Sequence, residues 1–384
     1  MKVAVLGYGT VGAGVYSMLS DAPGMEAGPV LVRPGKAVES FMVSDAALIF
    51  GDPTVDAVVE TLGGLDPAYS YGMRALEAGK HFITANKAMV AAHGLELAAL
   101  AREKGVAFLF SAACGGGVPF LHNLALSAET DRIEAVSGIL NGTTNYMLDA
   151  MQRRSLSYGD ALREAQSLGY AESDPTADVS GLDALRKMQL ACAVAFGVLP
   201  QSGMLCEGME HFTAADVEDI QSRGLVCRLM ARGSRAGESV SAYVEPVLFP
   251  RAAPESSVFT NNNMASYTGK RCGSIVLMGQ GAGRFPTASA VLRDLSAAQQ
   301  GARSMFPENC RAAEADNREA VHSYYIRTGG FAAVRLSLRS VLAQGEVVRA
   351  VTEPMSAEKM HALAQNIRKD GNDLFFAALE EELC

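Results

Sequence analysis

The sequence predicts an α/β fold in which a parallel sheet comes first and a differently built second part follows. Two features carry this. Over roughly the first 110 residues, short apolar runs alternate with helix-like stretches: "KVAVLG" precedes "VGAGVYSMLSD", "DAVVET" precedes "PAYSYGMRALEAG", "HFITA" precedes "AAHGLELAALAREKG", and "VAFLFSA" follows. Such alternation builds βαβ units and a parallel sheet. From about residue 120 the strand-like "IEAVSGIL" leads into longer helices, "GDALREAQSLG" and "SGLDALRKMQLACAVAFG".

The first strand ends in "GYGTVG", residues 7–12, which also opens the first helix. This is the context a dinucleotide-binding turn requires. Gly7 permits the tight turn, Gly9 lets a pyrophosphate approach the backbone, and Gly12 lets helix and strand pack closely. Tyr8, Thr10 and Val11 complete the turn and lead into a helix start whose N–H groups and partial positive charge suit an anion. A purely structural glycine turn is the competing reading. The acid that grips the ribose of NAD about twenty residues further on is not evident. The next strand, "GPVLVRPGK", ends in Arg33 and Lys36. Cations there suit a 2′-phosphate and favour NADP over NAD, against the alternative of two solvated surface charges. The fold expected is therefore a Rossmann-type nucleotide-binding domain.

Further along, the turn-rich "FPRAAPESSVFTNNN" (249–263) precedes the strand "GSIVLMG" and then "QGAGRFPTASAVLRDL", a second glycine turn with Pro286 in the first turn of a helix. That turn suggests a return to the nucleotide domain. Residues 298–321 read as a linker, and the last 60 or so as a small α+β module ending in the helix "SAEKMHALAQNIRKDG". The boundaries expected are 1–118 for the nucleotide domain, completed by about 279–310, then 119–278 and a C-terminal module at 322–384.

At 384 residues and 49% hydrophobic content the chain can bury more than one core. A net charge of −9 with no basic tract argues against nucleic acid or an anionic membrane as partner. Seven cysteines without C-x-x-C spacing read as reduced thiols in a cytoplasmic protein. The chain enters a strand directly, so no signal peptide is expected, and "LACAVAFGVL" (190–199) is half the length of a membrane span. Small molecules are the expected partners.

Hydride chemistry on an alcohol or aldehyde needs a group that moves the hydroxyl proton. "TANKAMV" places Lys87 just after a strand, at the carboxyl edge where open α/β sheets bind ligands. "GYAESDPTADVSGLDALRK" (169–187) crowds Glu172, Asp174, Asp178 and Asp183 together and closes on Lys187, which shares a helix face with Asp183 at i, i+4. From spacing alone an ordinary surface ion pair reads as well.

The motifs "ETLGG" (60–64), "TANKA" (84–88), "GGGVPF" (115–120), "GILNGTTNYML" (138–148), "GYAESDPTADVSGLDALRK", "YVEPV" (243–247) and "GQGAGRFPTASAV" (279–291) resemble homoserine dehydrogenase, in order and over residues 1 to about 310. The 138–187 block is specific to that family. The resemblance implies a nucleotide-binding domain, a dimerisation and substrate domain, and a homodimer. The reaction implied is the reversible NAD(P)-linked interconversion of L-homoserine and L-aspartate 4-semialdehyde. Position by position, Glu172 and Asp183 match acids that hold the substrate, with Asp178 a further acid of the same loop. Asp178 and Asp174 are alternatively loop holders. Lys187 matches the proton donor and acceptor, and Lys87 a lysine between cofactor and substrate. Thr61 and Gly63 lie on the nicotinamide side, and Gly283 in the second glycine turn beside the cofactor.

Acids there suit the ammonium of a zwitterionic amino acid. Direct pairing with Asp183 would raise the pKa of Lys187 when catalysis needs it lowered, so Asp183 is expected to point mainly at the substrate.

Two departures stand out. Many family members bind a monovalent cation through carbonyls matching Cys114, Gly116 and Val118, with a glutamate where this chain has Ser111. Its loss leaves a structural sodium open. The C-terminal module sits where family members carry an amino-acid-sensing ACT domain, yet "YYIRTGGFAAV" has no Asp-x-Pro-Gly turn. A degenerate remnant and a working sensor both fit. A different NAD(P)-dependent semialdehyde or amino-acid oxidoreductase does not explain "NGTTNY" together with "GLDALRK", and a non-catalytic cofactor sensor needs no acid–base pair.

Overall fold

The computed structural model describes residues 1–329 and 338–380, which form two compact units. Unit 1 comprises Met1–Ile133, Gln189–Leu199 and Gly269–Arg311; unit 2 comprises Glu134–Met188, Pro200–Thr268 and the chain from Ala312 on.

Unit 1 opens with β1 (Lys2–Leu6), α1 (Thr10–Leu19), β2 (Glu26–Leu31), β3 (Met42–Val43), α2 (Ala47–Phe50), β4 (Ala57–Glu60), α3 (Ala68–Glu77), β5 (His81–Thr84), α4 (Lys87–Lys104), β6 (Phe108–Leu109) and α5 (Phe120–Thr130). The strands form one parallel sheet in the order β3-β2-β1-β4-β5-β6. Every residue of β4 is buried, which is why these strands read as unbroken apolar runs without alternation. The order switches at β1, with β2 on one side and β4 on the other. The crevice beyond the carboxyl ends of such neighbours is where open sheets bind ligands, and Gly7 and Thr61 follow these two ends.

At the turn, Gly7 has φ +98°, a conformation that side chains resist. A Cβ on Gly12 would lie 2.1 Å from the Gly7 carbonyl oxygen, whereas one on Gly9 would meet nothing within 4 Å. Gly12 therefore serves packing and Gly9 leaves open space.

The chain continues through β7 (Ile133–Ile139), α6 (Gly142–Arg154), α7 (Tyr158–Ser167), α8 (Thr176–Val179), α9 (Leu182–Phe196), β8 (Val198–Ser202), β9 (Leu205–Cys206), α10 (Ala214–Ser222), β10 (Leu225–Ala236), β11 (Ser239–Pro250) and β12 (Asn262–Gly269). The β10–β11 hairpin, paired from Leu225–Pro250 to Ala236–Ser239 with Gly237 at φ +61°, was not anticipated from the sequence. β11 is buried from Val240 to Phe249, so it shows no polar–apolar alternation to read.

β13 (Gly273–Gln280) and α11 (Arg284–Gln299) belong to unit 1. There α11 lies so close to α1 that a Cβ on Gly14 would sit 2.8 Å from the Arg284 carbonyl oxygen. The remainder, β14 (Arg311–Glu314), β15 (Val321–His322), β16 (Tyr324–Thr328), β17 (Leu338–Ala343), β18 (Val348–Thr352), β19 (Met355–Ser356), α12 (Ala357–Lys369) and β20 (Leu374–Leu379), belongs to unit 2 from Ala312 on. Within unit 2 the strands run β12-β7-β10-β11-β20-β16-β18-β17. Tyr324, Ile326, Met360 and Phe376 share one core with Met230, Val247 and Phe249. The turn after β16, where an Asp-x-Pro-Gly was sought, runs into residues 330–337, outside the described residues. No helix among the described residues is long and apolar enough to cross a membrane.

Two stability predictions follow from this packing. Gly12→Ala must push the turn apart and should cost about 1–3 kcal/mol, while Gly9→Ala should change stability by less than about 1 kcal/mol; urea unfolding of both variants compares them. In unit 2 the Arg327 guanidinium bonds Asp216 Oδ1 at 2.7 Å, Asp373 Oδ2 at 2.5 Å and the His211 carbonyl at 2.8 Å. Asp216 is fully buried. Arg327→Ala leaves the buried Asp216 without this cation, held only by Thr213 N and Oγ1 at 2.9 and 2.7 Å, and should cost about 3–5 kcal/mol, read by the same method.

Candidate active site

A cavity of about 950 Å³ in unit 1 is lined by Gly7, Tyr8, Gly9, Arg33, Lys36 and Thr61, among others. The first turn of α1, with Thr10 and Val11, carries no acidic residue, and Gly9 precedes it as the cap. Open space at Gly9 and free approach to the helix start fit a dinucleotide, and two exposed cations, Arg33 and Lys36, stand in the same cavity. Glu39 lines the same cavity. Sequence reasoning did not place this acid in the cavity, because it lies in the loop beyond β2 and not at the strand end.

Beside this cavity the ends of β4 and β5 are tied by one carboxylate. Glu60 is fully buried and accepts from Thr84 Oγ1 at 2.5 Å, Leu62 N at 2.6 Å and Gly63 N at 3.2 Å. Burial raises its pKa, and these hydrogen bonds oppose the rise. Gly63 has φ +76°, which lets the chain turn under that carboxylate. Thr61 Oγ1 donates to the Leu6 carbonyl at 3.0 Å, joining this loop to the glycine turn. Asn86 caps α4 by accepting from Met89 N at 3.1 Å and donates to the Gly64 carbonyl at 2.6 Å. Lys87 is the next residue, half-buried in the first turn of α4, where helix N–H groups and an ammonium together favour an anion. Gly283, at φ +122°, caps α11.

Around the proposed cation loop, Ser111 is bound by both oxygens of Asp294: its N–H at 2.8 Å and its Oγ at 2.5 Å. Gly116 has φ +52°, and Cys114 and Val118 are buried. The carbonyls of Cys114, Gly116 and Val118 form a neutral donor set, since Asp294 is committed to Ser111. Among the described residues no group of three or more His, Cys, Asp or Glu is placed to hold a metal ion.

In unit 2, the Asn141 side chain caps α6 by accepting from Thr144 N at 2.9 Å. Its NH₂ donates to Asp178 Oδ1 at 2.7 Å and Asp183 Oδ2 at 2.9 Å. Thr143 Oγ1 donates to Asp178 Oδ2 at 3.1 Å. On α9, Lys187 Nζ pairs with Asp183 Oδ2 at 2.7 Å and donates to the Leu140 carbonyl at 2.6 Å. The expectation that Asp183 would point mainly at the substrate is corrected here. One helical turn separates acid and lysine, both side chains are only 12% exposed, and each takes the neighbour that the α-helix supplies.

Glu172 stands apart on the exposed loop, its carbonyl held by Gln166 at 3.1 Å. Asp174 closes its own turn by accepting from Thr176 N and Oγ1 at 3.1 and 2.6 Å. The structure therefore gathers Asp178, Asp183 and Lys187 around Asn141, a residue that sequence reasoning passed over. Its signal was available: an asparagine directly before "GTT" at a helix start.

Comparison with known proteins shows the family. The family model "Homoserine dehydrogenase, NAD binding domain" matches residues 7–111, and "Homoserine dehydrogenase" matches 119–296. A homoserine dehydrogenase of Synechocystis is 37% identical over 319 residues, 77% of this chain and 72% of its own. One from Corynebacterium glutamicum is 38% identical over 314 residues, 76% and 70%. The crystal structure of a homoserine dehydrogenase from Thiobacillus denitrificans superposes with a TM-score of 0.87 at 30% identity, covering 99% of this chain and 98% of that one. With both family models and relatives of this similarity spanning most of its length, the chain belongs to the homoserine dehydrogenase family.

Proposed function

We propose that Lys187 gives and takes the hydroxyl proton of the homoserine dehydrogenase reaction, that Asp183 holds this lysine in place, and that Arg33 and Lys36 direct the cofactor choice to NADP. The family interconverts L-homoserine and L-aspartate 4-semialdehyde. The nicotinamide cofactor supplies the hydride acceptor or donor.

The observation that carries the assignment is the position of Lys187 Nζ between the Leu140 carbonyl and Asp183. Two acceptors suit the ammonium, the form that protonates the oxygen as the semialdehyde is reduced. In the oxidative direction the lysine must start as the neutral amine, whose lone pair takes the hydroxyl proton as the alkoxide develops, and Asp183 and the Leu140 carbonyl then receive the ammonium formed. Asp183 is itself fixed by Asn141, so the proton-transfer group is oriented by a third residue, as an acid–base pair requires. Glu172, on the exposed loop of the same unit, offers a carboxylate to the substrate ammonium. Asp178, tied to Asn141 and Thr143, shapes the loop. Lys87 at the start of α4 favours an anionic group of substrate or cofactor.

The cytoplasmic reading is supported by six described cysteines, all free. Association into a homodimer is supported by the apolar residues Val276 and Met278, 49% and 60% exposed on β13.

Lys187→Ala should lower turnover in both directions by a factor of about 10² to 10⁴ while NADPH affinity changes little. Steady-state kinetics with direct cofactor titration measure both; near-normal turnover in Lys187→Ala, with loss in Lys87→Ala, would move the proton-transfer role to Lys87. For the cofactor, the Arg33→Ala/Lys36→Ala double variant should weaken NADP by about 1.5–3 kcal/mol and NAD much less. Equal small losses for the two cofactors in fluorescence titration would remove the assignment.

A further inference from the structure

Unit 2 holds a cavity of about 300 Å³ at the far end of α6, bounded by Asp149, Gln152 and Arg153 of that helix, Arg228 of β10, and Arg251 and Phe259 beyond β11. At about 1.5 Å per residue, the three helix residues stand about 12–18 Å from Asn141 along the axis. The cavity is thus separate from the Asp183–Lys187 pair. Neither the proton transfer nor the cofactor turn involves these residues.

Its walls carry three guanidinium groups and a single carboxylate. Arg228 is 2% exposed and donates to the carbonyls of Glu255 at 3.1 Å, Cys227 at 3.2 Å and Ser256 at 3.1 Å, with no carboxylate among the described residues bonded to it. Carbonyl dipoles orient this guanidinium and engage three of its five N–H groups, but they leave its charge without a counter-ion. The other two cations are exposed. Arg153 lies over the Phe259 ring, 4.6 Å from its centroid, and 3.8 Å from Asp149 Oδ2, while Arg251 donates to the Gln221 carbonyl at 3.3 Å. These are long contacts, so both side chains are free to turn to an anion.

The carboxylate is incomplete as well. Asp149 is 8% exposed, its Oδ2 accepts from Thr260 N at 3.1 Å, and its Oδ1 has no hydrogen-bond partner. A buried acceptor of this kind calls for a donor. The wall opposite is preformed: Asn145 Nδ2 donates to the carbonyls of Val258, Thr260 and Asn262 at 3.1, 3.0 and 3.1 Å. Those bonds hold Thr260 at φ +58°, a costly conformation for a β-branched residue. Phe259 and Asp149 are therefore set in place before any ligand arrives.

We propose that this cavity binds a small oxyanion with two negative charges and an O–H group, a hydroxydicarboxylate or an acid phosphate, its charges on Arg153, Arg228 and Arg251 and its O–H donating to Asp149. The charge follows from the walls, since three guanidinium groups less one carboxylate leave a surplus of two positive charges. The O–H follows from Asp149, because an anion without a donor would set bare oxygen against that carboxylate. The volume lies at the low end of small-molecule sites, which suits a ligand of this size.

Calorimetric titration of the full chain at neutral pH and constant ionic strength, with two pairs of probes, tests this. L-Malate and succinate differ by one hydroxyl, and inorganic phosphate and sulfate by the acid O–H. At least one O–H-bearing probe should bind saturably, and about tenfold or more tightly than its counterpart. Ser257 is exposed at the cavity wall, so substitution there tests charge without disturbing the core. Ser257→Glu should weaken binding by about tenfold or more, whereas the uncharged Ser257→Gln should retain it. Arg251→Gln should weaken it to a similar extent, by about tenfold. Binding of L-malate alone supports the proposal with a hydroxy acid as ligand, and binding of phosphate alone supports it with a phosphate. Absence of saturable binding by both overturns it. So does binding that Ser257→Glu and Arg251→Gln leave unchanged, which would put the anion elsewhere on the chain. Equal affinities within each pair overturn the role given to Asp149 and the O–H requirement with it.

Discussion

The amide of Asn141 is the constraint on which the acidic segment depends. Its oxygen closes the first turn of α6 and its nitrogen bridges Asp178 and Asp183. These demands fix one another, because an amide turned to give up one must give up all three. Two carboxylates within reach of a single NH₂ would repel each other, and the Lys187 ammonium on Asp183 offsets one of the two charges. α6 and the neighbouring pair α8 and α9, some forty residues on, are therefore placed together through this one amide. Lys187 inherits its position from that placement.

Unit 1 solves a similar problem at the ends of its strands. Glycines at 7, 63 and 64 adopt positive φ and bring no side chains to hold the loops they turn. Order comes from polar ties instead: Glu60 spans Thr84, Leu62 and Gly63, Thr61 reaches back to the Leu6 carbonyl, and Asn86 binds Gly64. Flexible backbone is thus confined to where a ligand must approach, while buried carboxylate and amide groups fix its two sides.

Local pattern made the first half of the fold legible. Apolar runs between helical stretches reveal buried parallel strands, and a glycine turn at a strand end reveals a nucleotide-type loop. The same locality set the limit of the site. Spacing on α9 shows that Asp183 and Lys187 share a face, yet the Leu140 carbonyl and Asn141 that complete their environment come from another element. Asp294 acquires its meaning only opposite Ser111, 183 residues away. Glu39 escaped because a loop, not a strand end, carries it into the cavity. The β10–β11 hairpin escaped for the opposite reason: burial along β11 erases the alternation by which strands are recognised.

The chain after Ala312 shows how a segment with weak motifs can still be essential to a core. β20 lies between β11 and β16, pairing Val247 with Ala378 on one side and Ile326 with Phe376 on the other. Without this segment β11 would be unpaired at Val247 and Leu248, beyond the two residues that β9 covers, and the core it shares with Tyr324, Ile326 and Phe376 would be opened. The polar contacts point the same way. Glu245 of β11 is fully buried and meets His361 of α12 at 3.1 Å and Tyr324 of β16 at 3.5 Å, while Arg368 of α12 holds Glu207 through two bonds of 2.9 and 2.7 Å. A carboxylate as deeply placed as Glu245 has no water to replace those partners. Sensing by this segment, where it exists, must therefore act through strands that also complete the core of unit 2, so ligand-induced change there and stability of the substrate-side fold are physically inseparable.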